Sequence, residues 1–420
     1  MFQGLSLDQA PPYNIPLRFY ITAGIYLIIL TIVALFFGLH VNSRHNYEAI
    51  ALTHLLTLGF FSHIMIGSMF QMIPVMLGVA YKDVVKRANI IYGMLNVGTI
   101  LFFLGFFLIK IPLIHLGGTL LALAIIFFSI ISLQSVLESV EKDFLVQNFL
   151  AAFSLFLIGA IFGFIAVLGQ SGIFDATLYG DIHLSFMLFG WIFILINAVS
   201  YKIIPMFFVA KEFPDFIKKY LYIFMTTTLI VLTLAKIIDL TSLYLIAKFL
   251  LGLGVVLFAL YSIYLLKNRK RARRDISVDL WYFSMINITI ASLLVLFNDY
   301  IKTDISNVIG FFALFGGAYA LINAMLYKIV PFLTWFHLSS NMVFEAEMND
   351  VIKKTDMKLQ VNLYFISYLL FTCKVFWNGF FILGNIVFLL SSLLLLRNLV
   401  NGSLYYKEYI KKKIDISNFS

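Results

Sequence analysis

Twelve apolar stretches, separated by short polar breaks, run along this 420-residue chain. They cover roughly 18–40, 50–78, 88–109, 111–137, 145–170, 179–208, 217–238, 241–266, 278–300, 304–337, 358–375 and 378–400. A helix that crosses the hydrocarbon of a bilayer needs about 20 mostly apolar residues, because every backbone amide must be bonded within the segment. The pattern predicts an all-α, polytopic membrane protein. Its parts are an N-terminal segment 1–17, a single twelve-helix transmembrane domain 18–400 and a tail 401–420.

A repeat organises these stretches. FGWIFILINAVSYKIIPMF, from Phe189, returns 126 positions later as FGGAYALINAMLYKIVPFL, from Phe315, with ten of nineteen places identical. A looser copy from Gly59, 131 positions before Gly190, keeps the glycine and the proline fifteen residues on, Pro74. The copies fall on the second, sixth and tenth stretches, so one unit is four helices. The units are about 18–137, 145–266 and 278–400.

Composition agrees with the pattern. The chain is 62% hydrophobic and 12% charged, whereas soluble domains carry about 25% charged residues. Basic residues cluster in alternate loops: Lys82, Lys86, Arg87, Lys211, Lys218, Lys219, the run 267–274, Lys353, Lys354, Lys407 and 411–413. Only isolated cations, Arg44, Lys110, Lys236, Lys302 and Lys374, fall in the others. By the positive-inside rule both termini are cytoplasmic, in a bacterial inner membrane. The net charge of +9 is thereby assigned to anionic lipid headgroups, with no nucleic acid among the partners. The opening MFQGLSLDQAPPYNIPLRF lacks a basic n-region, so the first stretch is expected to stay as a helix that begins after Pro16. A lone cysteine, Cys373, permits neither an internal disulfide nor a thiolate cluster.

Chemistry-bearing residues are few. Of seven histidines, His40, His45, His54, His115 and His183 fall in the outer half under this topology, His63 at mid-depth and His337 inside. A histidine at membrane depth is costly unless its ring nitrogens are engaged, and haem iron or copper would engage them. Counted at 100° per residue, His54 and His63 lie on opposite sides of one helix. His63 shares its side with Gly59 and Gly67, which reads as a helix contact. His183, Gly190 and Asn197, at intervals of seven, make a polar stripe. Asn197 and its repeat partner Asn323 read as interhelical hydrogen bonders or as walls of a polar cavity, with Lys202, Lys328 and Gln71 nearby. The two lysines also fit snorkelling to the inner interface. Met65, Met69, Met72 and Met76 form a stripe suited to core filling or to copper(I).

Twelve helices in three four-helix units, with a histidine near the outer end of the second, are similar to subunit I of the haem-copper oxidases and to the related NnrS family. The stretches PLRFYITAGIYLIIL and ALTHLLTLGFFSHIMIGSMFQMIPV carry the resemblance. It implies a haem b or a copper ion toward the outer face, with His54 and His183 as first ligand candidates and His63 and His115 next. It also implies a role in nitric oxide or metal stress, or in respiratory assembly, with respiratory or haem and copper proteins as partners. The departures exclude oxygen reduction. The seventh stretch lacks the oxidase histidine pair, the tenth lacks both haem histidines, and Lys374 alone stands where paired arginines are expected. A transporter or channel for a small solute, with a cavity lined by Asn197 and Asn323, is the alternative.

Overall fold

The computed structural model describes residues 9–37, 43–270, 273–301 and 303–412. His40, Lys302, Lys413 and the centre of the basic run, 271–272, lie outside the described residues. Among the described residues, twelve long helices make up the bundle. They are α1 (Asn14–Phe37), α2 (Tyr47–Leu77), α3 (Val84–Phe107), α4 (Ile111–Leu137), α5 (Phe144–Gly169), α6 (Ala176–Phe208), α7 (Asp215–Ile237), α8 (Thr241–Lys267), α9 (Ile276–Phe297), α10 (Ser306–Ser340), α11 (Lys354–Thr372) and α12 (Gly379–Tyr409). Among the described residues eleven are long and apolar enough to cross a membrane. The exception is α11, whose first turns carry Lys354, Asp356, Lys358 and Gln360.

Neighbouring helices run antiparallel. Gly59 and Gly67 of α2 meet Tyr26 and Phe19 of α1 in reversed order, and Gly98 and Gly105 of α3 meet Leu121 and Ile114 of α4 in the same way. Helices two apart run parallel. Thr22 and Tyr26 of α1 bond Tyr92 and Asn96 of α3, Asn148 of α5 bonds Lys218 of α7, and Tyr368 of α11 bonds Asn287 of α9. Contacts of α4 with α5, α8 with α9 and α12 with α1 close the ring. Of the apolar windows, 61% of α2 and 56% of α4, α6 and α10 are buried, against 33–39% in the other spans. Hence α2, α4, α6 and α10 form the inner layer, and the rest lie outside it and expose Ile, Leu and Phe.

The three helices that carry the repeated sequence share a local distortion. Each contains a π-helical segment, at 55–62, 186–193 and 311–319, and an interior proline below it, Pro74, Pro205 and Pro331. Within each segment a glycine takes the place where a Cβ would strike the preceding helix: Gly59 against Tyr26, Gly190 against Leu155, Gly316 against Asn287. The carbonyls loosened in the third segment find side-chain donors, Tyr364 at Phe315 and Ser284 at Gly317. Such pairing is what keeps irregular backbone tolerable at membrane depth.

Three expectations are corrected here. First, α1 begins at Asn14, ahead of Pro16, because a proline in the first helical turn forfeits only an amide that has no intrahelical partner anyway. Second, helix continues past the last apolar stretch, since α12 runs to Tyr409 and carries the first part of the segment 401–420. The stacked Tyr405 and Tyr409 belong to a small cluster with Leu338, Val343 and Ala346 that holds this last stretch. Third, the constant 100° count fails through the π segments, where each turn carries one extra residue and rotates the rest of the helix by about 100°. His54 and His63 are therefore not opposed. Both rings meet α3, at Phe102 and Tyr92 respectively.

Candidate functional site: a histidine pair in a cavity between α2 and α6

A cavity of about 300 Å³ opens among α2, α3, α4, α5 and α6, with Leu314 of α10 at one wall. His54 sits in it immediately before the first π segment, and His183 faces it from just before the second. Their ring centres are 6.3 Å apart and their planes differ by 15°. Each imidazole is held by a main-chain carbonyl at Nδ1. His54 bonds Ile50 O of its own helix at 2.8 Å, and His183 bonds Gly159 O of α5, also at 2.8 Å. A carbonyl can only accept, so Nδ1 carries the hydrogen and Nε2 keeps its lone pair. A carbonyl on the remote nitrogen is the usual support of a metal-ligating histidine.

The seat of His183 depends on α5 being thin at that level. A Cβ on Gly163 would stand 2.6 Å from His183 Nδ1, and one on Gly159 would press on Phe186 and Met187. Glycines four apart thus form a notch for the ring and expose the carbonyl that orients it.

The cavity changes character along its length. At the loop end stand Arg44, His45 and Asp181. Asp181 pairs with Arg44 at 2.8 Å and with Lys236 of α7, and its side chain is only 17% exposed. Beyond the histidines the walls turn apolar, with Phe61, Met65 and Trp191, the last stacked on Phe156 at 4.0 Å.

The other expected site residues lie elsewhere. His63 is fully buried against α1, where its ring approaches Tyr26 at 5.1 Å and its Nδ1 bonds Leu58 O, with the Asn96 side chain of α3 also beside the ring. His115 bonds Ser171 through Nε2 at 2.9 Å and does not line the cavity. Asn323 joins a buried network in which Gln360 accepts from Asn323 and Tyr327 and donates to Ser391. Asn197 and Gln71 are buried with both amide atoms unpaired. Lys328 is bonded to Asp275 at 2.5 Å, whereas Lys202 is exposed. None of these five lines the histidine cavity or a second, smaller cavity of about 110 Å³ among α6, α8, α9 and α10. Sequence reasoning missed Asp181, Arg44, Lys236 and Gly163 as parts of the site. An acidic residue two places before His183 was the one signal available.

Among the described residues no group of three or more His, Cys, Asp and Glu side chains could hold a metal ion. Neither a protein-family model nor a curated protein matches the chain.

Proposed function

We propose that this multi-pass membrane protein holds one b-type haem between His54 and His183, and that it works as a redox-active membrane protein of the oxidase-like architecture without oxygen reduction. The observation that carries the reading is the spacing of the two imidazoles. A ligating imidazole nitrogen lies about 2.0–2.1 Å from its metal and about 1.1 Å from its own ring centre, so imidazoles on opposite sides of one ion have centres about 6.2–6.4 Å apart. The separation here is 6.3 Å. Two protein donors suit an iron whose remaining four positions come from a porphyrin, and they leave a bare ion under-coordinated. When bound, such a group supplies one-electron chemistry. The protein's part is to fix both rings through Ile50 O and Gly159 O and to surround the centre with apolar side chains.

Met65 on the same cavity wall favours a second reading, a copper(I) ion held by two imidazoles and a thioether. Three four-helix units, a bacterial inner membrane and cytoplasmic termini belong to the same proposal. The π segments, prolines and glycines at matching repeat positions support the units. The one-sided distribution of Lys and Arg supports the orientation. A role in nitric oxide or metal stress, or beside respiratory partners, would be consistent with a redox centre near the outer face.

A reduced-minus-oxidised optical spectrum of the detergent-purified protein, with iron and copper analysis of the same sample, tests the proposal. A sharp reduced α-band with about one iron per chain, lost in His54→Ala and in His183→Ala, is expected. Stoichiometric copper without an α-band selects the second reading. A folded protein that is colourless and metal-free, even when produced with added haem and copper, overturns both.

A further inference from the structure

The second cavity, about 110 Å³ among α6, α8, α9 and α10, is lined by positions that the sequence repeat relates to the first. Moved on by 131 positions, the α2 wall residues Thr57, Phe61 and Met65 correspond to Leu188, Ile192 and Ile196 of α6, and all three line the second cavity. Moved on by 126, His183, Met187 and Trp191 correspond to Ile309, Ala313 and Gly317 of α10, which line it too. Asp143 and Asp275, 132 positions apart, cap α5 and α9. At that interval Gly159 and Gly163, the notch that seats His183, correspond to Ala291 and Val295, again on the wall. The second cavity therefore has neither the imidazoles nor the notch.

It also offers nothing polar. Ser284 donates to Gly317 O at 2.9 Å and Ser292 to Ile288 O at 2.8 Å, and no lining side chain holds a buried polar atom without a partner. A buried water needs two to four polar partners, whereas an apolar cavity of about 150 Å³ stays dry and takes up hydrocarbon. The lining residues that keep partial exposure, among them Leu188, Ile196, Val295 and Ile309, are all apolar, so the way in leads from the bilayer. On α9 the wall runs from Ser284 to Val295, which at about 1.5 Å per residue is about 16 Å. A volume of about 110 Å³ drawn out over that length is the width of one extended chain. We infer that this cavity binds the end of a lipid acyl chain, lying along α9 and α10. The chain fills the space that Ala313 and Gly317 leave where the first cavity has Met187 and Trp191, and it backs Leu188 and Ile192, which line both cavities. Haem or copper in the first cavity is not required for it.

The test reconstitutes the full chain into vesicles of phosphatidylethanolamine and phosphatidylglycerol that contain a phosphatidylglycerol with a diazirine at the end of one acyl chain. After illumination, peptide mapping locates the label. Leu253 of α8 and Leu293 of α9 are exposed and report ordinary contact with lipid, while Met285 and Leu321 are buried on the cavity wall and are reached only by a chain that has entered. Label on Met285 or Leu321 as well as on the exposed leucines is expected in the wild type. Ala313→Met with Ala318→Ile gives the cavity the side chains found at the matching places in the first one, and should reduce the buried label severalfold while leaving the exposed label unchanged. Wild-type label confined to exposed residues overturns the acyl-chain site and needs no variant to do so. Buried label that persists undiminished in the folded, filled variant overturns it as well, since the chain would then lie elsewhere. Either result leaves the histidine pair standing.

Discussion

His183 owes its position to an absence on the facing helix. Gly163 leaves room for the ring, and Gly159 O, one turn away, fixes its tautomer. Gly163→Ala should therefore push the imidazole off that carbonyl, reduce bound iron or copper severalfold, and cost about 1–3 kcal/mol of stability through overpacking. Gly93→Ala, on α3 with open space around it and away from the cavity, should do neither; metal content and thermal melts of the two variants decide. His63 is the contrasting case. Its ring is buried away from the histidine cavity and bonds Leu58 O, with the Asn96 side chain beside it, so an apolar replacement of similar size exchanges one or two hydrogen bonds for packing. His63→Leu should change stability by less than about 1 kcal/mol and leave the metal signal intact. Loss of that signal would bring His63 into the site. The histidines were legible in the sequence as residues of interest. Which of them pair was not, because ring-to-ring distance depends on how α2 and α6 are placed about the cavity between them.

At the scale of elements the π segments matter most. Each turn of π-helix carries one residue more than a regular turn, and the extra residues in α2 and α6 fall immediately after His54 and shortly after His183. Deleting Leu56, which would return that turn toward α geometry, rotates His54 by about 100° relative to the rest of α2. The expected result is a folded membrane protein without bound metal; retained stoichiometric metal would show that the turn does not set the ligand's direction. The apolar lengths, the repeat and its glycines and prolines were all readable beforehand. The π geometry was not, since it changes the hydrogen-bond register without changing which residues are apolar. That is why the opposed placement of His54 and His63, counted at constant pitch, failed.

At the scale of the whole molecule, the orientation can be checked with the native cysteine. Cys373 is partly exposed in the short turn between α11 and α12, the end assigned to the outside. A membrane-impermeant maleimide should label it in intact spheroplasts, while a cysteine placed at Lys82 in a Cys373→Ser background should react only after lysis. The reverse pattern would invert the topology. The alternation of long apolar stretches with basic loops determined the class, the helix number to within the marginal α11, and the expected direction of insertion, because a bilayer imposes length and charge rules residue by residue. Tertiary structure alone decided that His54 and His183 face one cavity, that Asp181 gathers Arg44 and Lys236 at its mouth, and that Asn197 and Asn323 do not line it. Those relations join residues far apart along the chain, and helix tilt, π turns and glycine contacts set them rather than any local pattern.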